Sequence, residues 1–125
     1  KVSFISQNWK KYPALIQDST LVTKIIDIEK TINGRAYYYI PKEKVLPFAG
    51  QIKTGDIIPI TTKKKALDTA HVGIAIENEG QIYLLHASVS DKKVSVTTET
   101  LPDYLQRITS HSGIMIGRLI NFKSN

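Results

Sequence analysis

Two of the three histidines in this chain, His71 and His86, stand at the two ends of one short stretch, "HVGIAIENEGQIYLLHAS". A histidine pair brought together can serve three kinds of chemistry. It can be a satisfied polar pair at the end of a sheet. It can bind a metal, since neutral imidazoles ligate zinc and Asp68 could supply a third ligand, although no HExxH or other spaced ligand set accompanies it. It can also be a base steered by a second imidazole. A base needs one ring nitrogen free to take a proton and its other N–H held by a partner, which a neutral histidine can be. Asp68, three residues before His71, is the fallback orienter. His111, in "TSHSG", reads as a solvated loop residue. The chain has no cysteine, so it contains no thiol nucleophile, disulfide or thiolate metal site.

The element that must position the two imidazoles is a β-hairpin. A two-residue loop at Asn78-Glu79 pairs Glu77 with Gly80 and, counting back along both strands, His71 with His86. Directly opposite residues share one face, with Cβ atoms roughly 4.5–5.5 Å apart. A slip of one residue would send them to opposite faces. Both faces of the hairpin are largely apolar, which predicts inner strands. Gly73 and Ala75 make the histidine face small, so it is expected to receive a bulky covering element from elsewhere.

Around the hairpin the sequence alternates helix and strand signals. "STLVTKIIDIEKTING" predicts a packing helix with a stripe of Leu21, Val22, Ile25, Ile28 and Ile32, a cap at Ser19 and a left-handed stop at Asn33-Gly34. "RAYYYI", Arg35 to Ile40, predicts an extended segment, and Pro41 and Pro47 bracket a loop. A turn at Lys53-Thr54-Gly55 leads into a strand from Asp56 to Thr61, which Pro59 places at an edge or a bulge. Further strands are expected from Lys93 to Thr98 and from Gly113 to Ile120. Thr100 and Asp103 form a capping box for a short helix through Ile108. This order predicts an α+β fold with a mostly antiparallel sheet, an N-terminal helix and one late short helix.

The 125 residues fit one domain, and 42% apolar content suffices for a core. No stretch approaches the ~20 apolar residues of a membrane span. The net charge of +6 suits an acidic partner such as nucleic acid, an anionic surface or acidic wall fragments, and is equally what many solvated surfaces carry. Nucleic acid is disfavoured, because the tight basic run Lys63-Lys64-Lys65 has no interleaved aromatic residues.

Several stretches together resemble a known family. "YYYIPK" (Tyr37 to Lys42), "GDII" with Gly55-Asp56, "HVG" at His71-Val72-Gly73, "LLHAS" ending in His86-Ala87-Ser88, and "GIMI" are similar to the C-terminal half of the NlpC-type, papain-like cell-wall hydrolases. The likeness is closest to their N-acetylmuramoyl-L-alanine amidase-like branch and runs from about Tyr12 to Ile120. It implies a papain-like half-domain in which His71 is the catalytic base and His86 its orienting partner. Arg35, Tyr38, Asp56 and Ser88 are then candidate substrate contacts, each with a packing or turn role as the alternative. It implies no metal and no cofactor, muropeptides as substrates, and an exported, periplasmic or envelope location. The family's nucleophilic cysteine precedes everything quoted. With Lys1 rather than Met at the start, the resemblance implies that the cysteine-bearing N-terminal half lies outside this chain, which alone would be inactive. The competing expectation is a degenerate module that binds wall fragments or inhibits a hydrolase.

Overall fold

The structure is a computed structural model that describes residues 1–121. It divides into two compact units, Lys1–Tyr38 with Lys63–Asp68, and Tyr39–Thr62 with Thr69 onward.

The first unit is helical. It comprises α1 (Phe4–Gln7), a 3-10 turn (Trp9–Lys11), α2 (Pro13–Gln17) and α3 (Thr20–Asn33). Pro13 opens α2 at a first-turn position, where its missing N–H leaves no bond unmade. The predicted helix is α3, with changes at both ends and on its face. Asp18 rather than Ser19 caps it, its carboxylate accepting from the Thr20 N–H at 3.0 Å. Gly34 is right-handed (φ −81°), not a left-handed stop. Ile28 is exposed, and Glu29 occupies the inward position instead, where it accepts the Ser6 N–H at 3.2 Å.

The second unit is a six-stranded antiparallel sheet of order β1-β6-β2-β3-β4-β5. Its strands are β1 (Ile40–Pro41), β2 (Ile57–Thr62), β3 (Thr69–Asn78), β4 (Gln81–Ser88), β5 (Lys93–Val96) and β6 (His111–Ile114). The α+β class and the antiparallel sheet agree with the sequence. "RAYYYI" does not form a strand beyond Ile40. The span from Pro41 to Pro47 is not a loop but helix α4 (Lys42–Phe48), with Pro47 inside its last turn. The last strand stops at Ile114, after which only a bridge from Gly117 to Ile57 continues the pairing.

Of the edge or bulge that Pro59 suggested, the second is found: β2 is an inner strand whose register shifts between Ile60 and Thr61 against β3 and between Thr61 and Thr62 against β6. Pro59 accepts the Met115 N–H at 2.8 Å just past the end of β6, and β2 pairs fully with β6 only from Ile60. The proline therefore sits where its absent donor removes little.

One sheet face buries Ile58, Ile60, Ala75, Leu84 and Ile114 beneath Val45 of α4 and Leu101 and Leu105 of α5 (Leu101–Arg107). α5 begins as predicted: Thr100 Oγ1 accepts the Asp103 N–H at 3.4 Å and donates to the Asp103 carboxylate at 2.9 Å. The other sheet face leaves Ile57, Val72, Ile74, Val94 and Val96 exposed. No helix among the described residues is long and apolar enough to cross a membrane.

Candidate active site

The hairpin closes one residue later than expected. Its loop is Glu79-Gly80, with Asn78 paired to Gln81. Both loop residues have positive φ, 51° and 77°, as a type I′ turn requires. Gly80 therefore belongs inside the loop rather than after it. This moves the register by one residue on each strand. Ala75 faces Leu84, and by the same count His86 lies across from Gly73. A shift of this kind keeps side-chain parity, so the histidines stay on one face as diagonal rather than direct neighbours.

Diagonal placement still joins the rings. Nε2 of His71 lies 2.8 Å from Nδ1 of His86, with the rings edge to face at 88°. Gly73 between them is required. A Cβ there would stand 2.5 Å from Leu84 Cδ1 and 2.9 Å from the Leu85 carbonyl. The small residues of the histidine face therefore do not await an external cover. Leu84 fills the space at Gly73, and α4 and α5 of this chain cover the face.

The imidazoles open onto a cavity of about 560 Å³ bounded also by Ser88, Asp91, Glu99, Tyr104 and His111. Burial, reinforced by the neighbouring His86, holds the His71 imidazole below its ordinary value. His71 is thus neutral at pH 7, with Nε2 engaged by His86; one ring of the pair donates and the other accepts.

The remaining candidate residues divide. Ser88 lines the cavity, where its hydroxyl meets Ser90 Oγ at 3.0 Å and accepts the Asp91 N–H at 3.2 Å. Asp56 does not. It is 2% exposed and closes the preceding turn by accepting the Lys53 N–H at 2.8 Å. Arg118 clamps its carboxylate through Nε at 2.7 Å and a terminal nitrogen at 2.6 Å. That hydrogen bond from Arg118 is the main reason its carboxyl sits below the usual carboxylate range. Its role is to tie the turn to the chain beyond β6. Arg35, Tyr38 and Asp68 belong to the first unit, whereas every residue lining this cavity belongs to the second. Tyr38 is 88% exposed. Among the described residues no three His, Asp or Glu side chains gather as a metal-ligand set.

Two cavity residues escaped the sequence. Tyr104, on α5, sets its ring 5.5 Å from that of His86 and 5.6 Å from that of His111. His111 is not a solvated loop residue. It opens β6 and is 5% exposed. The capping box at Thr100 announced α5, but only the fold shows which of its residues turns toward the histidines.

The model of the AmiA-like family, N-acetylmuramoyl-L-alanine amidase-like, matches residues 2–114. An N-acetylmuramoyl-L-alanine amidase from Bacteroides uniformis is 37% identical, with a TM-score of 0.81 over 92% of this chain and 49% of its own. A Bacteroides fragilis protein described as a xylanase is also 37% identical, with a TM-score of 0.82 over 92% of this chain and 51% of its own. A Legionella pneumophila protein, 24% identical with a TM-score of 0.52 over 79% of this chain and 40% of its own, shares the fold alone. No curated protein matches the chain. The chain spans about half the length of the solved relatives at 37% identity. With almost its whole described length matched, from Val2 to Ile114, the chain belongs to the AmiA-like family of N-acetylmuramoyl-L-alanine amidase-like proteins.

Proposed function

We propose that this chain is the base-bearing part of a cysteine-type peptidoglycan amidase with a papain-like, NlpC-type active site. It would act on the bond between the lactyl group of N-acetylmuramic acid and L-alanine in muropeptides. One observation carries the reading: the 2.8 Å contact between His71 Nε2 and His86 Nδ1 beside an open cavity. With His71 Nε2–H donating to His86, Nδ1 is the basic nitrogen, and a half-buried neutral imidazole suits that task.

In this reading the nucleophile is a thiol supplied by a cysteine-bearing N-terminal half of the domain; the reading is supported by the chain spanning only about half the length of its solved relatives. In this mechanism His71 Nδ1 takes the thiol proton and the thiolate adds to the lactyl carbonyl. The tetrahedral intermediate collapses, the C–N bond breaks, and His71 returns its proton to the leaving amine. His71 then activates water, which hydrolyses the thioester and frees the thiol. His86 keeps the ring in the tautomer that permits each step. Such an enzyme works on the wall, so the protein is assigned to the periplasm or cell envelope.

A xylanase reading is weaker. Glycoside hydrolysis needs two carboxyl groups with opposed roles. Of the two in this cavity, Glu99 is already paired with Arg107, its Oε1 at 2.8 Å from Nε and 2.5 Å from a terminal nitrogen.

The test is reconstitution. This chain is combined with a polypeptide carrying the cysteine-bearing half, and release of L-alanyl peptide from muropeptides is measured. Activity should appear with both halves and vanish with His71→Ala. Full activity in that variant rejects the assignment. No activity with both halves favours a binding or inhibitory module.

A further inference from the structure

Two polar groups in the cavity have no hydrogen-bond partner among the described residues. Tyr104 is 8% exposed, yet its hydroxyl forms no hydrogen bond among the described residues and is not sealed from solvent, so it opens to the cavity it lines. His111 is 5% exposed, and its Nδ1 is buried without any partner. Its other ring nitrogen, Nε2, is the one left to meet the cavity.

The orphaned Nδ1 settles where the proton of His111 sits. A buried N–H without an acceptor is among the rarest defects in proteins, whereas an unused lone pair is better tolerated. The proton therefore rides on Nε2. Burial first, then the proximity of His71 and of the Lys42 and Arg107 cations, hold this imidazole below its ordinary value, so it stays a neutral donor. Burial likewise raises the Tyr104 phenol, which stays protonated.

We propose that the Tyr104 hydroxyl and the His111 Nε2–H together hold a neutral carbonyl oxygen of an amide substrate in the cavity beside His71. This deepens the functional reading above and rests on it. Charge decides for a carbonyl over a carboxylate. The cavity has Arg107 as its one fixed cation against Asp91 and Glu99, and Glu99 already engages that arginine. An anion against this wall would meet two carboxylates and an arginine already engaged by one of them, while Lys42, whose charge reaches His111, is not among the lining residues. A neutral acceptor finds two donors that burial has stripped of other partners, and satisfying them is worth more than in water.

The test is a chemical-shift titration of the 125-residue chain with a neutral probe, the methylamide of N-acetylmuramoyl-L-alanine, following the His71 imidazole. Tyr104→Phe keeps the ring packed and removes only the hydroxyl. It should raise the Kd about tenfold, one hydrogen bond to a buried partner. His111→Phe should weaken binding to a similar degree, whereas His111→Gln, which keeps an N–H donor, should stay within about threefold of wild type. Unchanged affinity in both Tyr104→Phe and His111→Phe overturns this inference and leaves His71 as the base. Absence of wild-type binding overturns both the inference and the amidase reading.

Discussion

His71 and His86 share one hydrogen bond, Nε2 to Nδ1 at 2.8 Å, although they are diagonal rather than facing residues of the hairpin. Only one proton can lie between two neutral rings. If His71 donates it, His71 Nδ1 is free to act as a base. If His86 donates it, His71 carries its proton on Nδ1 and cannot. The amidase reading therefore predicts His71 as the Nε2–H tautomer and His86 with its proton on Nε2. Nitrogen-15 imidazole spectra at pH 7.5 check this. The opposite pair of tautomers removes His71 as the base.

Acid should weaken the fold through the same groups. His71 and His111 both sit below their ordinary value of 6.5. Below that pH the unfolded chain takes up protons that the folded chain refuses. Stability is then present above about pH 6.5 and declines as pH falls, levelling off once both folded imidazoles have titrated. Denaturant unfolding at pH 7.5, 6.0 and 5.0 should show this loss. A His71→Gln, His111→Gln double variant should flatten the profile over that interval. Asp56, lowered from 3.8, adds a separate loss only in stronger acid.

Gly73→Ala tests the packing between the histidines. The new Cβ would overlap Leu84, a fully buried core residue. Overpacking of this kind costs about 1–3 kcal/mol. Thermal or urea unfolding should show it, together with a disturbed His71 resonance. A neutral substitution would mean that Leu84 can move aside freely.

Thr100→Ala tests the helix that carries Tyr104. Loss of the cap should lower stability by about 1 kcal/mol, or about 4 °C in Tm for a domain of this size. The Asp103 amide, freed of Thr100 Oγ1, should exchange faster with solvent. Unchanged exchange there would show that the cap is not holding the start of α5.

Local signals were legible wherever one residue type has one strong conformational use. The capping box at Thr100 and Asp103, the helical run of α3 and the glycine turn at Gly55, whose φ is +94°, all formed, although Ile28 of the α3 stripe is exposed. Signals that depended on neighbours were misread. Pro59 looked like an edge or bulge residue; the irregularity formed, but the edge did not, because the partner strand β6 lies 49 or more residues further on. The segment around Pro47 looked like a loop because a proline in the last turn of a short helix has the same local appearance.

The candidate site divides along the same line. Sequence alone determined that His71 and His86 share a face, because side-chain parity along a hairpin survives a paired shift of register. Only the tertiary structure decided that they touch diagonally across Gly73. It also decided that Asp56 is a structural clamp for Arg118, and that Tyr104 and His111 join the cavity wall. Those relationships cross from β4 to α5 to β6 and from the turn before β2 to the chain beyond β6. They arise from how layers pack, and no spacing within a single element encodes them.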